Sequence, residues 1–128
     1  MFFFISSLLQ SKKYLFHLWR VVVHQSLGEV LEVGDLTLDP AQKSVTRAGQ
    51  DIRLTSKEYA ILEYLMRNSG RVVSKDNIIS HVWDFDADVL PNNVEVFITF
   101  LRSKIDKPFK KPLLHTVRGF GYKVSIDA

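Results

Sequence analysis

The sequence contains no cysteine among its 128 residues. Disulfide frameworks, cysteine-ligated zinc, iron–sulfur clusters and thiol nucleophiles are therefore excluded. Long apolar runs are missing as well: no uninterrupted stretch approaches the roughly 18–20 residues that cross a bilayer. Signatures of catalysis are equally scarce. There is no HExxH and no glycine-rich phosphate loop, and His17, His24, His81 and His115 stand far apart with no paired carboxylate motif. Ser74 and Thr55 fit helix caps better than nucleophiles. A binding protein is expected rather than an enzyme, with no cofactor and no metal.

A surplus of one charge is also lacking. The chain has 17 Lys+Arg and 14 Asp+Glu, a net +3, which by itself hardly argues for a polyanionic partner. The distribution says more. From Asn92 to Lys123 seven basic residues stand against two acids, whereas Asp76 to Pro91 holds four acids and no Lys or Arg. A basic end beside an acidic loop addresses two different partners.

What is present suits one compact domain with an additional arm: 46% of the residues are hydrophobic and 24% charged. Residues 1–29 form the arm. Met1 to Ile5 are apolar, Lys12 and Lys13 interrupt, and Tyr14 to Val23 is mostly apolar again. A signal peptide would carry its charge first and a small-residue cleavage site last, and neither holds here. An amphipathic helix, a remnant of an upstream domain and start-site-derived sequence all remain open for this segment. Association with a membrane is not expected.

Residues 30–128 read as the domain. Val30 to Leu38 splits into two short strands at Gly34-Asp35; Ser44–Arg47 and Ile52–Leu54 read as two more around Ala48 to Asp51. Such a small antiparallel sheet needs something to pack on. Thr55-Ser56-Lys57-Glu58 is a capping box opening a first helix with Tyr59, Ile61, Leu62, Leu65 and Met66 inside, ended by Gly70. Ser74 caps a second helix bearing Ile78, Ile79, Val82 and Trp83. Pro91 opens a third, in which Val94, Ile98, Leu101 and Ile105 form one stripe. Leu113–Val117 and Tyr122–Ile126 then make a terminal hairpin about Arg118-Gly119-Phe120-Gly121.

At 100° per residue the four stripe positions fall within about 60° of the helix wheel. The opposite face carries Asn92, Val96, Thr99, Phe100 and Ser103, flanked by Asn93, Phe97 and Lys104 on one side and Arg102 on the other. Large apolar groups outside a buried stripe call for a partner. A DNA major groove accepts such a helix: asparagine pairs bidentately with adenine, and apolar groups meet thymine methyls. Phe97 and Phe100 could instead pack on neighbouring elements, and Asn92 or Asn93 could simply cap the helix. Arg118, on its glycine-flanked turn, suits a minor groove. Three helices followed by a hairpin make a winged helix-turn-helix, an α+β arrangement.

Several stretches are together recognisable: Leu54-Thr55 through Glu58-Tyr59 and Leu62; Gly70 to Ser74; His81-Val82-Trp83; Asn93-Val94-Glu95-Val96 to Leu101-Arg102; and TVRGFGY from Thr116 to Tyr122. From Val30 to Ile126 the chain closely resembles the C-terminal DNA-binding (effector) domain of OmpR/PhoB-type response regulators. The resemblance implies a four-stranded N-terminal antiparallel platform, a three-helix core and a C-terminal wing that together bind promoter DNA in the cytoplasm. Position by position it implies that Asn92, Asn93, Val96, Phe97, Thr99 and Phe100 face the major groove. Arg102 would contact phosphate or base, Trp83, Thr116 and Tyr122 the DNA backbone, and Arg118 the minor groove. Asp84, Asp86 and Asp88 match the family's loop for contact with RNA polymerase, and members usually bind direct repeats as head-to-tail dimers.

The chain departs from the family in lacking the basic residues members often carry near Thr99 and Phe100, and the Arg near Asn92. The receiver domain with its phosphorylated Asp is absent from the 128 residues, and residues 1–29 do not resemble its last helix; a fragment, or a protein without that domain, is expected. Two rival readings are a protein-interaction module and a single EF-hand-like calcium loop. Asp84, Asp86, Asp88 and Glu95 fall at loop positions 1, 3, 5 and 12, but Val89 stands where that loop needs Gly, Pro91 sits at position 8, and no second loop exists to pair with.

Overall fold

The computed structural model describes residues 29–83 and 91–127. The N-terminal segment up to residue 28 and the acidic loop lie outside them. Four short strands come first, β1 (Leu31–Val33), β2 (Leu36–Asp39), β3 (Ser44–Arg47) and β4 (Gln50–Ile52), paired in chain order as an antiparallel meander. Their inward positions alternate: Leu36 and Leu38 on β2, Val45 and Arg47 on β3 are buried, while residues between them are less so.

The fourth strand begins two residues earlier than the sequence predicts. Arg47 pairs directly with Gln50, so Ala48 and Gly49 alone make the turn, with φ of 53° and 81°. Positive φ at both central residues is the type I′ geometry that matches strand twist. Alanine gives no signal for that conformation, which is why the turn looked longer in the sequence.

Helix α1 (Ser56–Arg67) starts as its capping box requires. The Glu58 N–H donates to Thr55 Oγ1 at 3.3 Å, and the Thr55 N–H donates to Glu58 Oε1 at 2.9 Å. Asn68, not Gly70, caps the far end. Gly70 follows at φ 84° and turns the chain so that its N–H donates to Val124 O at 2.9 Å. Ser74 caps α2 (Lys75–Val82) by accepting the Asn77 N–H at 3.1 Å. Helix α3 (Pro91–Ile105) leads to the wing, β5 (Leu114–Val117) and β6 (Gly121–Val124), an antiparallel hairpin.

The three helices pack on one another, and α1 also rests on the platform and on β6. One core joins them, including Leu36, Leu38, Ile61, Leu62, Leu65, Ile78 and Val124. Burying a side chain of this kind contributes about 1.5–3 kcal/mol relative to exposure. The predicted stripe of α3 sits wholly in this core: Val94, Leu101 and Ile105 are 0% exposed and Ile98 is 1%. The architecture is the winged helix-turn-helix expected from the sequence, with platform, trihelical core and wing in that order.

Candidate nucleic-acid interface

With its stripe buried, α3 must present its other side outward. Asn93, Val96, Thr99, Phe100 and Ser103 are all exposed, Val96 at 49% and Phe100 at 48%. Phe97 is half-buried: its ring meets Trp83 edge-on at a centroid distance of 5.5 Å, and Phe100 leans on Phe97 at 6.4 Å. Trp83 caps the C-terminal end of α2, and the Lys57 ammonium stands 5.3 Å from its ring. An aromatic row thus runs from the end of α2 to the open face of α3. The side chain of Asn92, like Asp84, Asp86 and Asp88, lies outside the described residues.

Arg102 ties α3 to the wing. Its Nε donates to Leu114 O at 3.1 Å and its Nη2 to Thr116 Oγ1 at 2.5 Å, with the guanidinium 5.9 Å from the Tyr122 ring. The structure therefore brings Arg102, Thr116 and Tyr122 into one cluster. Tyr122 is 5% exposed, and burial pushes its phenol above the ordinary value. Arg118 and Thr116 are exposed on the wing, and Phe120 at its tip is 72% exposed.

The wing is also fastened to the link between α1 and α2. Val73 and Tyr122 exchange backbone hydrogen bonds at 2.7 and 2.9 Å. Gly121, at φ 150°, lies so close that a Cβ there would stand 2.0 Å from Val73 O. Only glycine permits this approach. The hairpin carrying Arg118 is consequently registered to the start of the helix-turn-helix.

Two ion pairs fix α3 against the other helices. Lys75 at the start of α2 pairs with Glu95, which holds the Lys75 ammonium above its ordinary value. Lys104 donates to Glu58 Oε1 at 2.6 Å. Burial works to raise the Glu58 carboxyl, but the Lys104 ammonium and the Thr55 N–H and hydroxyl outweigh it and hold it below its ordinary value. Glu95, the last ligand of the calcium-loop reading, is thus engaged by a cation of the protein itself.

Sequence reasoning missed Arg47. It is 1% exposed and spans from the platform to the C-terminal end of α3. It donates to Asp35 Oδ1 at 2.5 Å, Ile105 O at 2.5 Å, Asp106 Oδ1 at 3.1 Å and Lys111 O at 2.5 Å. Its one signal in the sequence was register, since it shares the inward side of β3 with Val45. The second partner of Glu58 was also missed; that side chain reads from sequence as a cap alone.

Comparison with known proteins agrees with this geometry. Residues 49–124 match the family described as transcriptional regulatory protein, C terminal. The transcriptional regulatory protein TrcR of Mycobacterium tuberculosis is 47% identical over 94 residues, 73% of this chain and 36% of TrcR. The response regulator DrrB of Thermotoga maritima, described as an OmpR/PhoB homologue, superposes with a TM-score of 0.70 at 29% identity over 88% of this chain and 52% of DrrB. The DNA-binding domain of Klebsiella pneumoniae RstA, solved in complex with the RstA box, superposes with a TM-score of 0.66 at 26% identity over 76% of this chain and 97% of that domain. The chain spans well under half the length of the curated relatives it matches. It belongs to the transcriptional regulatory protein C-terminal family, as an effector domain of the OmpR/PhoB response-regulator type.

Proposed function

We propose that this domain binds duplex DNA in a sequence-specific manner to regulate transcription, with α3 in the major groove and Arg118 of the wing in an adjacent minor groove. The observation that carries the reading is the open face of α3, which keeps Val96 and Phe100 about half exposed although the helix's other side is fully buried. A helix held this way fits the width of a major groove. The wing, tied to α3 through Arg102, supplies a cation where minor-groove potential is most negative. The RstA domain of the same fold, solved on DNA, supports this placement.

The chain acts in this reading by binding alone and without a cofactor, as the cytoplasmic output of a two-component system. No described helix is long and apolar enough to cross a membrane. Asp84, Asp86 and Asp88 are assigned to contact with RNA polymerase, and two copies to head-to-tail binding on direct repeats. Residues 30–128 are the DNA-binding unit, and residues 1–29 lie outside it.

A gel shift on promoter fragments across a salt series tests the reading. Few cations are free on α3, so one copy is expected to bind weakly, with a salt slope no steeper than the few phosphates it neutralises. Arg118→Ala should weaken binding on most sequences. Asn93→Ala should relax preference at one base step, by about 1–3 kcal/mol for a bidentate contact. Equal losses for both variants on specific and random DNA would remove base reading by Asn93. Charge reversal at Asp84, Asp86 and Asp88 should abolish activation while sparing DNA binding; joint loss of both would refute separate roles.

A further inference from the structure

We propose that the open face of α3 recognises thymine methyl groups, so that the preferred duplex is A·T-rich under this helix and presents thymines in its major groove. The inference rests on the DNA-binding reading above and deepens it by naming the class of site.

Its basis is that most polar side chains of α3 already hold partners within the protein. Glu95 is paired with Lys75. The Thr99 hydroxyl donates to Glu95 O at 2.9 Å, and the Ser103 hydroxyl donates to Phe100 O at 2.7 Å. Arg102 is committed to Leu114 O and Thr116, and Lys104 to Glu58. Among the described residues, the exposed side chains of α3 with no such partner are Asn93, Val96 and Phe100.

The major groove of each base pair is chemically distinct. Guanine offers two acceptors and is best met by a bidentate Arg or Lys; on α3 both cations are tied elsewhere. Adenine suits a bidentate asparagine, which Asn93 can supply. Thymine alone offers a methyl group, and Val96 and Phe100 are the matching apolar surface. The aromatic contacts from Trp83 through Phe97 to Phe100 hold the Phe100 ring before any ligand arrives, so less ordering of that side chain is left for binding.

The experiment uses the full chain. Duplexes are first selected from a random library, and the selected site is then remade with deoxyuridine replacing thymidine at single positions, which deletes only the methyl. Anisotropy titrations should show about a fourfold loss for each contacted methyl removed, as expected for one buried carbon. Val96→Ala and Phe100→Ala, both at about half-exposed positions outside the buried core, should make the thymine and uracil duplexes equivalent. A strongly preferred site that tolerates every uracil substitution overturns the thymine assignment and leaves DNA binding standing. Failure to select any duplex, with self-association through Val96 and Phe100 in its place, overturns both.

Discussion

Arg47 of β3 and Asp106, just past the last turn of α3, are 59 residues apart in sequence and 3.1 Å apart in space. Both are buried, at 1% and 8% exposure. Asp106 also accepts the N–H groups of Leu113 and Leu114 at 3.0 and 3.1 Å, and Phe109 covers the guanidinium at 5.1 Å. The platform is thereby locked to the point where the chain leaves α3 for the wing. A buried pair of this kind gains little over an apolar replacement of both partners, but losing one partner leaves a charge stranded.

Arg47→Met should therefore cost about 3–5 kcal/mol of stability, read as a lower urea midpoint. Arg47→Lys should recover only part of it, because an ammonium cannot reach four oxygens in the guanidinium's fork. The last turn of α3 should also exchange its amide hydrogens faster. A loss under about 1 kcal/mol for Arg47→Met would show that the lock is dispensable.

Glu58 predicts an acid-side dependence. Its carboxyl titrates below its ordinary value in the folded chain, so the folded state binds this proton less readily than the unfolded one. The stabilisation is present above the unfolded value and disappears as pH falls through the folded one. Glu58→Gln should flatten the acid limb of a stability–pH curve, and Lys104→Met should flatten it in part. An unchanged limb in both variants would contradict the pairing. Thr55→Ala, which removes the cap itself, should cost about 1 kcal/mol at neutral pH.

Tyr59 behaves in the opposite sense. Its hydroxyl is the one buried side-chain polar atom without a hydrogen-bond partner among the described residues, and burial pushes its phenol up to about 12. Tyr59→Phe should be neutral or stabilising at pH 7, since it removes an unsatisfied polar group. In the wild-type chain stability should fall as pH rises from about 10, where an unfolded tyrosine ionises, toward the folded value. The variant should lose less over that range, and a loss as steep as the parent's would assign the alkaline limb to another group.

Gly121→Ala should unseat the wing. The added Cβ meets the Val73 carbonyl at 2.0 Å and φ is 150°, so backbone must move. We expect a cost above about 1 kcal/mol and loss of exchange protection at the Val73 and Tyr122 amides. Gly119→Ala, at φ 84° in open space, should leave that protection intact. Equal protection in both variants would show that the close approach does not hold the hairpin.

The sequence by itself determined the elements and their faces. Caps are made within three residues, so Thr55-Glu58 and Ser74-Asn77 are legible as strings. A period of 3.6 marks which side of α3 is buried, and alternation marks the platform strands. The turn at Ala48 escaped this reading because its positive φ is imposed by hairpin twist rather than by residue type. Tertiary structure alone decided which polar groups remain available. Arg47 finds three of its four acceptors across 58 to 64 residues, Glu58 meets Lys104 across 46, and Arg102 turns to the wing. These choices depend on how helices and sheet are placed in space, and no local period encodes that. The open face of α3 and its apolar groups were therefore readable in the sequence, while the fold alone showed that Glu95, Arg102 and Lys104 already have partners within the protein.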